Sequence, residues 1–424
     1  MTLPRDAAAA NRAPLDWLSF LLADVKDGIG PFLAVFLTSA QHWDAGRAGL
    51  ALTVGGLATV LARAPAGALI DAVRAKRLLL GLAAAVVAGA AVVMAAWPRF
   101  WPVVAAQAAN GLADAVFPAS VAAISLGIVG RARFTARVGR NEAFNHAGNV
   151  ATAIAAGLAG SFIAPDAVLW IVAALAVTML PPLLMLRAGD IDHETARGGD
   201  DGAPGQDRPE ALRQLLGDRA LPGFIAAITL FHFANAAMLP LLGEKLAGAH
   251  HGLGAMFIAA SIVTAQAAMV PMAIVVGHRA DRWGRKPIFL AGFAALPVRG
   301  VLYTLVHDPV SLVAIQLLDG VGAGIFGALF FIVVADLTEG TGRYNLAQGV
   351  AAACWGLGAA SSNAVAGFIV DGFGYNAAFL FLAACAGAAL LLFWRAVPET
   401  RGWAHRGRPS SAAAGAEPAP QAAG

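Results

Sequence analysis

Three ionisable side chains stand within an apolar stretch near the start of the chain. Asp24, Lys26 and Asp27 lie inside residues 15–40, a segment long enough to cross a bilayer. Charged groups are costly in hydrocarbon, so they pair with one another or line a pathway for a solute or a proton. An internally neutralised cluster that only fastens this segment to its neighbours is the alternative. We favour a solute or proton site.

The helical positions of these groups leave two arrangements open. Asp24 and Asp27 share one face of a helix, whereas Lys26 points roughly the opposite way. Either Lys26 meets a neighbouring helix, with Glu142 as a candidate partner, or the glycines and proline of 28–31 loosen the backbone and let the groups converge.

Other polar side chains also lie deep in apolar segments. At about 1.5 Å per residue, most of them are roughly 13 to 20 Å from the membrane surface, near the midplane. We interpret them as the lining of a substrate cavity, although an interhelical hydrogen-bond network is the alternative. These residues are Asn110, Asp114, His232, Asn235, Gln316 and Asp319.

A Glu–His pair and two intramembrane arginines complete the chemically active groups. Glu142 lies one turn before His146, so the two could relay protons or simply bond neighbouring helices; both interpretations stay open. Arg299 and Arg63 are expected to be charge partners or snorkelling residues rather than ligands. Asp24, Asp27, Glu142 and His146 are therefore the candidates for proton coupling.

The composition sets the class of protein that must position these groups. Hydrophobic residues make up 58% of the chain and charged residues 13%, and the mean hydropathy is +0.69. This excludes a soluble protein of 424 residues and predicts an all-α integral membrane protein. The basic residues that give the net charge of +3 are scattered through loops, which does not favour nucleic-acid binding.

Apolar runs of about 20 residues predict twelve transmembrane spans. If the N-terminus is inside, the outer segments hold only Arg47, Arg99 and Lys245, so both termini are expected in the cytoplasm of a cell with this protein in its plasma (inner) membrane. The predicted spans, numbered 1 to 12, are 15–40, 47–70, 77–97, 101–128, 138–163, 167–187, 220–243, 254–277, 286–306, 310–336, 345–371 and 375–396.

Between and around the spans, three polar segments divide the chain. We predict a cytoplasmic N-terminus at 1–14, a six-helix half at 15–187, a mobile linker at 188–219, a second half at 220–397 and a disordered tail at 398–424. Within the linker, 209–217 could form a short interfacial helix.

An internal repeat organises the two halves. The run GALIDAVRAKR from Gly67 recurs as GHRADRWGRK from Gly277, 210 residues later, and other landmarks keep nearly the same spacing. Two parallel repeats of six helices are the plan of the major facilitator superfamily, which this chain resembles across all twelve spans. The resemblance implies that spans 1, 4, 7 and 10 line a central cavity.

The loop between spans 8 and 9 carries the most specific motif, because it matches the superfamily pattern G-x-x-x-D-R-x-G-R-K. The resemblance implies a conformational latch that stabilises the outward-facing state, with a degraded copy between spans 2 and 3. The latch candidates are Gly67, Asp71, Arg74, Gly277, Asp281, Arg282, Gly284, Arg285 and Lys286.

Departures from known subfamilies limit the prediction of substrate. Gln107 stands where drug–proton antiporters usually carry arginine, Gly148-Asn149 offers no proline for the antiporter motif of span 5, and sugar-porter signatures are missing. We expect a monomeric, proton-coupled secondary transporter that exports a small polar or charged organic solute. A proton symporter that imports an organic acid is the alternative within transport, and a non-transporting sensor is the alternative outside it.

An enzyme is not expected, because H-E-x-x-H, Cys/His metal spacing and the G-x-S-x-G elbow are missing from the sequence. We accordingly expect no metal and no cofactor.

Overall fold

The computed structural model describes residues 10–27, 29–196, 219–249, 252–338 and 344–401. Within these ranges it leaves out the side chains of 24–27, 29, 71, 131–132, 135–136, 194, 277, 281 and 344–346. The described chain is almost entirely helical. The spans comprise Arg12–Asp27 and Ile29–Val35 (span 1), Ala45–Ala72 (2), Lys76–Ala96 (3), Phe100–Asp114 and Val116–Val129 (4), Arg131–Phe162 (5), Ala167–Thr178 and Leu180–Met185 (6), Ala220–Ala236 and Met238–Ala249 (7), Gly254–Trp283 (8), Arg285–Leu305 (9), Pro309–Ala314 and Leu317–Leu337 (10), Tyr344–Phe373 (11) and Tyr375–Ala396 (12).

Ten of these helices are long and apolar enough to cross a membrane, counted over the described residues. Spans 1 and 5 bring the number of spans to twelve. They are not among these ten because their polar side chains lower their mean hydropathy. Span 5 shows the largest shift of a boundary, because its helix begins at Arg131 rather than at the predicted 138. An apolar-run search misses a polar first turn that the helix nevertheless includes.

Several spans that the sequence pattern presents as continuous contain a short irregularity, at which the backbone keeps helical dihedral angles. Span 4 is interrupted at Ala115 and span 7 at Ala237, while span 10 turns at Ile315 and Gln316. Span 6 is also interrupted, at Met179. The backbone N–H groups of Ala115, Met179 and Ile315 remain hydrogen-bonded within their own span. Irregular turns of this kind are tolerated in a membrane because their backbone groups stay paired.

Each half of the chain has its own apolar core. One buried cluster extends from Leu15 to Ala196 along the sequence and the other from Ala220 to Val397. A third, smaller cluster joins the halves through spans 1, 5, 6, 7 and 8. It consists of Phe32, Val35, Ala153, Ala156, Val168, Ala247, Ala255, Ile258 and Ala259.

The two ends of the helical bundle differ. We call the end that bears residue 12, loops 73–75 and 284, and the end of span 12 the terminal face; the far face bears loops 41–44, 306–308 and 374. The halves meet toward the far face, where span 2 packs on span 11, span 5 on span 8 and span 1 on span 7. Small residues allow this approach: a Cβ on Gly49 would collide with the backbone of Asn363.

The polar segments outside the spans are described only in part. Residues 398–401, at the start of the predicted disordered tail, pack against the beginning of span 9 through Glu399. The rest of the tail, 402–424, lies outside the described residues, as do most of the linker and its predicted helix at 209–217.

Candidate substrate cavity and gating contacts

Arg299 is the largest of the fully buried side chains among the described residues, with 1% of its surface exposed. It lies at mid-depth in span 9 and forms an ion pair with Asp319 of span 10. Its guanidinium also donates a hydrogen bond to Asn235 Oδ1 of span 7. An unpaired arginine at this depth would be costly, so the three spans are held together by the groups that neutralise and solvate it.

This network borders a cavity of about 140 Å³, which we call the Arg299 cavity. Glycines on spans 9 and 10 make space for this cavity, because they have no side chain to fill it. Gly292, Gly322 and Gly327 all line it. The remaining lining residues are Phe231, His232, Asn235, Leu296, Arg299, Leu318, Asp319, Ala323 and Phe326.

An aromatic group forms one wall of the cavity. The His232 ring stacks on Trp355 at a centroid distance of 5.0 Å and meets the edge of Phe326 at 4.6 Å. His232 Nδ1 lies 2.8 Å from the carbonyl oxygen of Ile228. A carbonyl can only accept, so Nδ1 carries a hydrogen and the neutral ring keeps Nε2 as an acceptor.

Among the predicted cavity residues of the C-terminal half, His232, Asn235 and Asp319 meet around Arg299, whereas Gln316 does not line this cavity. Gln316 is fully buried at the irregularity of span 10, and its side-chain oxygen and nitrogen have no hydrogen-bond partner among the described residues. Arg299 was predicted as a charge partner, and the structure assigns it two partners.

In the N-terminal half the predicted cavity residues are described only in part. Asn110 and Asp114 are half-buried on span 4, just before its irregularity at Ala115. The side-chain oxygen of Asn110 has no hydrogen-bond partner among the described residues. The side chains of Asp24, Lys26 and Asp27 lie outside the description, although the backbone of all three is helical.

The Glu142–His146 pair is not joined by a hydrogen bond or ion pair within the described part of the chain. Glu142 is exposed and His146 is half-buried. On the same helix Asn141 bonds elsewhere: it accepts from Arg137 Nε at 2.7 Å and donates to Ser125 Oγ at 3.1 Å.

Asp16 forms an ionic cluster that the sequence did not reveal. Its carboxylate accepts from Arg137 Nη2 and Arg140 Nη2, both at 2.6 Å, and Arg140 Nε also donates to it. Asp16 is 5% and Arg137 6% exposed. The cluster ties the start of span 1 to the start of span 5 at the terminal face. Two arginines at i and i+3 share one face of a helix, which is a sequence signal for a common anionic partner. The sequence does not identify that partner, because Asp16 lies more than a hundred residues away.

The latch candidates of the C-terminal half contact the end of span 10 and the residues that follow span 12. Arg285 pairs with Asp336 at the end of span 10. Glu399 accepts from the backbone N–H of Arg285 at 2.9 Å and of Lys286 at 3.1 Å, so it caps span 9. Sequence reasoning missed Glu399, because it follows the last apolar run.

The other latch candidates contribute less to these contacts. Arg282 is exposed, and its carbonyl oxygen accepts from Arg401. Gly284 has a φ of +89°, which permits the sharp turn between spans 8 and 9. Gly67 faces open space, and Arg74 is exposed. The side chains of Asp71 and Asp281, and residue Gly277 beyond its helical backbone, are outside the description.

Hydrogen bonds between the two halves, within the described residues, lie toward the far face. Asp371 at the end of span 11 accepts from the backbone N–H of Ala45 at 3.0 Å and of Gly46 at 2.8 Å, and so caps span 2 across the interface. Thr53 Oγ1 donates to the carbonyl of Ala360 at 2.8 Å. Ser161 Oγ accepts from the N–H of Met256 on span 8. This is the arrangement expected when the central space opens toward the terminal face.

No group of three or more His, Cys, Asp or Glu side chains able to hold a metal ion is found in the part of the chain that the structure describes.

Two solved structures with a similar fold are a transporter and a symporter. The nucleoside transporter NupG superimposes with a TM-score of 0.74 at 16% identity, over 91% of this chain and 98% of that one. A D-xylose-proton symporter superimposes with a TM-score of 0.66, also at 16% identity, over 93% of this chain and 98% of that one. These likenesses establish the fold.

Comparison of sequences establishes the family. Proteins described as uncharacterized MFS-type transporters in two strains of Mycobacterium tuberculosis are 49% identical to this chain over 388 residues, covering 91% of it and 93% of theirs. The family model described as Major Facilitator Superfamily matches residues 17–295 and 226–420. The chain therefore belongs to the major facilitator superfamily of membrane transporters.

Proposed function

We propose that this protein is a proton-coupled secondary transporter of a small polar organic solute, and that the Arg299 cavity binds one end of that solute. The observation that carries the proposal is the buried Arg299–Asp319–Asn235 network beside an aromatic wall. Intramembrane ionisable residues that face a cavity are expected to serve transport, because their burial is otherwise unfavourable.

The network offers a way to couple a proton to the solute. A proton on the Asp319 carboxyl removes the negative charge that Arg299 neutralises, which frees the guanidinium to bind an acceptor on the solute. Asn235 then offers an amide for hydrogen bonding, and His232 offers a ring face and Nε2. Loss of the proton restores the ion pair and expels the bound group.

The size of the cavity indicates that it holds only part of a solute. Its volume of about 140 Å³ is below the roughly 300 to 1,000 Å³ usual for small-molecule sites. The rest of the solute would lie between the halves, within reach of Asn110 and Asp114 on span 4. Asp24 and Asp27, with Lys26 as charge partner, remain proposed coupling groups on span 1, and Glu142 with His146 on span 5.

For the direction of transport we propose uptake by proton symport, because in the Asp319 scheme the proton and the solute bind together and rocking of the two halves about the midplane carries both across. The similarity in fold to a nucleoside transporter and a D-xylose-proton symporter also favours it. A second candidate is export, which requires that the proton and the solute bind alternately, with Asp24, Asp27 or Glu142 as the carboxyl that takes up the proton. In both cases we place the protein in the plasma membrane as a monomer with its termini in the cytoplasm.

Reconstitution in proteoliposomes with an imposed pH gradient tests the proposal. Labelled nucleosides, sugars, organic acids and amines are screened in both orientations of the gradient. Asp319→Asn should abolish accumulation driven by the gradient and leave exchange of the same solute measurable. Asp308→Asn is the matched control, because Asp308 is exposed at the start of the same span and asparagine also caps helices.

Gradient-driven accumulation by Asp319→Asn equal to that of the unmodified protein would refute coupling through this carboxyl. Flux of no solute in either orientation, with protein shown to be folded, would refute transport itself. The direction of net solute flux under a fixed pH gradient distinguishes export from uptake by symport.

A further inference from the structure

At the terminal face each half has a junction between the start of its third span and the end of its sixth. Span 3 begins beside the end of span 6, and span 9 begins beside the end of span 12. In the C-terminal half a carboxylate fills the junction, since Glu399 accepts from the N–H groups of Arg285 and Lys286. Lys286 Nζ also donates to the carbonyl of Trp394 at 2.6 Å, which draws spans 9 and 12 together.

The matching position in the N-terminal half holds no carboxylate. Leu186 follows the end of span 6 and Val397 the end of span 12, and the residues two positions later are Ala188 and Glu399. Ala75, the residue before span 3, has no polar side chain that could cap the helix. At this position one half has a carboxylate and the other has a methyl group, and the nearby carboxylate of Asp190 accepts a hydrogen bond from Asn11.

A cavity of about 460 Å³ opens beside Ala188, between spans 3 and 6. We call it the span 3–6 groove. Two arginines and a histidine stand at its mouth, and its walls are apolar. The lining residues are Arg74, Ala75, Arg77, Leu78, Gly81, Leu82, Leu180, Leu183, Leu184, Ala188, Ile191 and His193.

The positive charge at the mouth is fixed in place. Arg77 Nε donates to the carbonyl of Leu183 at 3.1 Å and its Nη2 to that of Leu184 at 3.2 Å. These bonds use the unsatisfied carbonyls at the end of span 6 and hold the guanidinium beside the groove. Arg74 is exposed one turn earlier.

The groove opens on the outer surface of the bundle rather than on the central space. Leu78, Leu82 and Leu184 on its walls are 62%, 54% and 71% exposed. In a bilayer such leucines contact acyl chains. From residue 75 to 82 the groove descends roughly 10 Å along span 3, at about 1.5 Å per residue.

We propose that the span 3–6 groove is a binding site for an anionic phospholipid. The phosphodiester lies between Arg74, Arg77 and the start of span 3, where the helix dipole also favours negative charge. One acyl chain follows the leucines down the groove. A basic mouth above an apolar floor at the membrane surface matches a lipid with both a charged headgroup and a hydrocarbon chain. The bound phosphate thus supplies to span 3 the negative charge that Glu399 supplies to span 9.

Native mass spectrometry of the full chain, titrated with phosphatidylglycerol or with phosphatidylcholine of the same acyl composition, tests this assignment. Two basic contacts should make phosphatidylglycerol bind about tenfold or more tightly than phosphatidylcholine. Arg74→Gln and Ala188→Glu should each reduce that preference severalfold, the second because it introduces a carboxylate where Glu399 stands in the other half. Gly81→Phe should weaken binding of both lipids by filling the groove.

Arg395→Gln is the matched control, because Arg395 is an exposed arginine at the same face, on span 12 and outside the groove. It should keep the full preference. Thermal unfolding without added lipid establishes that each variant is folded. Arg74→Gln removes no side-chain hydrogen bond or ion pair among the described residues.

Three results would overturn the proposal. The first is an unchanged lipid preference in both Arg74→Gln and Ala188→Glu. The second is competition by inorganic phosphate at the concentrations at which phosphatidylglycerol binds, which would indicate a site for a free anion. The third is lipid binding that appears only after deletion of residues 200–213, which would indicate that the linker occupies the groove.

Discussion

Among the described side chains, the C-terminal half has one arginine–aspartate pair at mid-depth, Arg299 with Asp319, and another at the terminal face, Arg285 with Asp336. The pairs described in the N-terminal half, Arg137 and Arg140 with Asp16, lie at the terminal face. At the spacing of the repeat, Asp319 corresponds to Asn110, and Arg299 falls opposite Gly89. The two copies of the scaffold thus share their helices but, among the described side chains, differ in the depth of their buried ion pairs.

The two placements have different physical consequences. At mid-depth the pair borders a cavity, so breaking it alters both the stability of the half and the electrostatics of a binding site. At the terminal face the cluster joins spans 1 and 5 far from the Arg299 cavity, so breaking it should affect the packing of the N-terminal half alone. We therefore expect stability and transport to be linked in one half and separable in the other.

The largest effect is expected from Asp319→Ala. It leaves Arg299 buried and unpaired, which should lower the free energy of unfolding by about 3–5 kcal/mol and abolish transport. Asn110→Ala, at the corresponding position, should cost only about 1 kcal/mol, because a neutral amide is lost. Thermal or denaturant unfolding in detergent measures both.

The double variant Arg299→Met, Asp319→Leu sharpens this comparison. Replacing a buried pair with apolar residues of similar volume should restore most of the stability but none of the transport. If the double variant were as unstable as Asp319→Ala, the network would be needed for folding rather than for coupling.

An intermediate effect is expected from Asp16→Asn. Arg137 would remain buried without its counter-charge, and we expect a loss of about 2–3 kcal/mol in unfolding free energy. Arg140→Gln should cost less, because 37% of the Arg140 side chain is exposed and solvent screens its charge. Initial rates of transport, measured on the same variants, show whether the loss of stability is accompanied by a loss of transport. Equal loss of transport in Asp16→Asn and Asp319→Asn would contradict the contrast between the halves.

The smallest effect is expected at the contact between halves. Asp371→Ala removes the cap that span 11 supplies to span 2 and should shift the populations by about 1 kcal/mol, roughly fivefold, toward opening of the far face. Spin-label distances between positions 47 and 375 report that opening. Asp308→Ala is the control, because Asp308 caps its own span and bridges nothing between the halves. A shift of equal size in the control would mean that Asp371 acts on its local helix only.

The sequence determined the helical class, the positions of the spans and the family. These follow from composition and from apolar runs, because hydrocarbon requires about 20 apolar residues per helix, and that requirement is local to each segment. The repeated loop motif is likewise visible without coordinates. Asn235, Asp319 and Arg299 could each be singled out, since an isolated polar residue in an apolar run is conspicuous by itself.

Only the tertiary structure decided which of those residues meet. Asp16 and Arg137, Asp371 and Ala45, and Glu399 and Arg285 are each more than a hundred residues apart in the chain, and no periodicity records such a pairing. The irregularities at Ala115 and Ala237 and the empty space beside Ala188 also depend on the packing of neighbouring spans. Local pattern fixes which face of a helix is polar, whereas the partner of that face is set by the summed packing of the whole bundle.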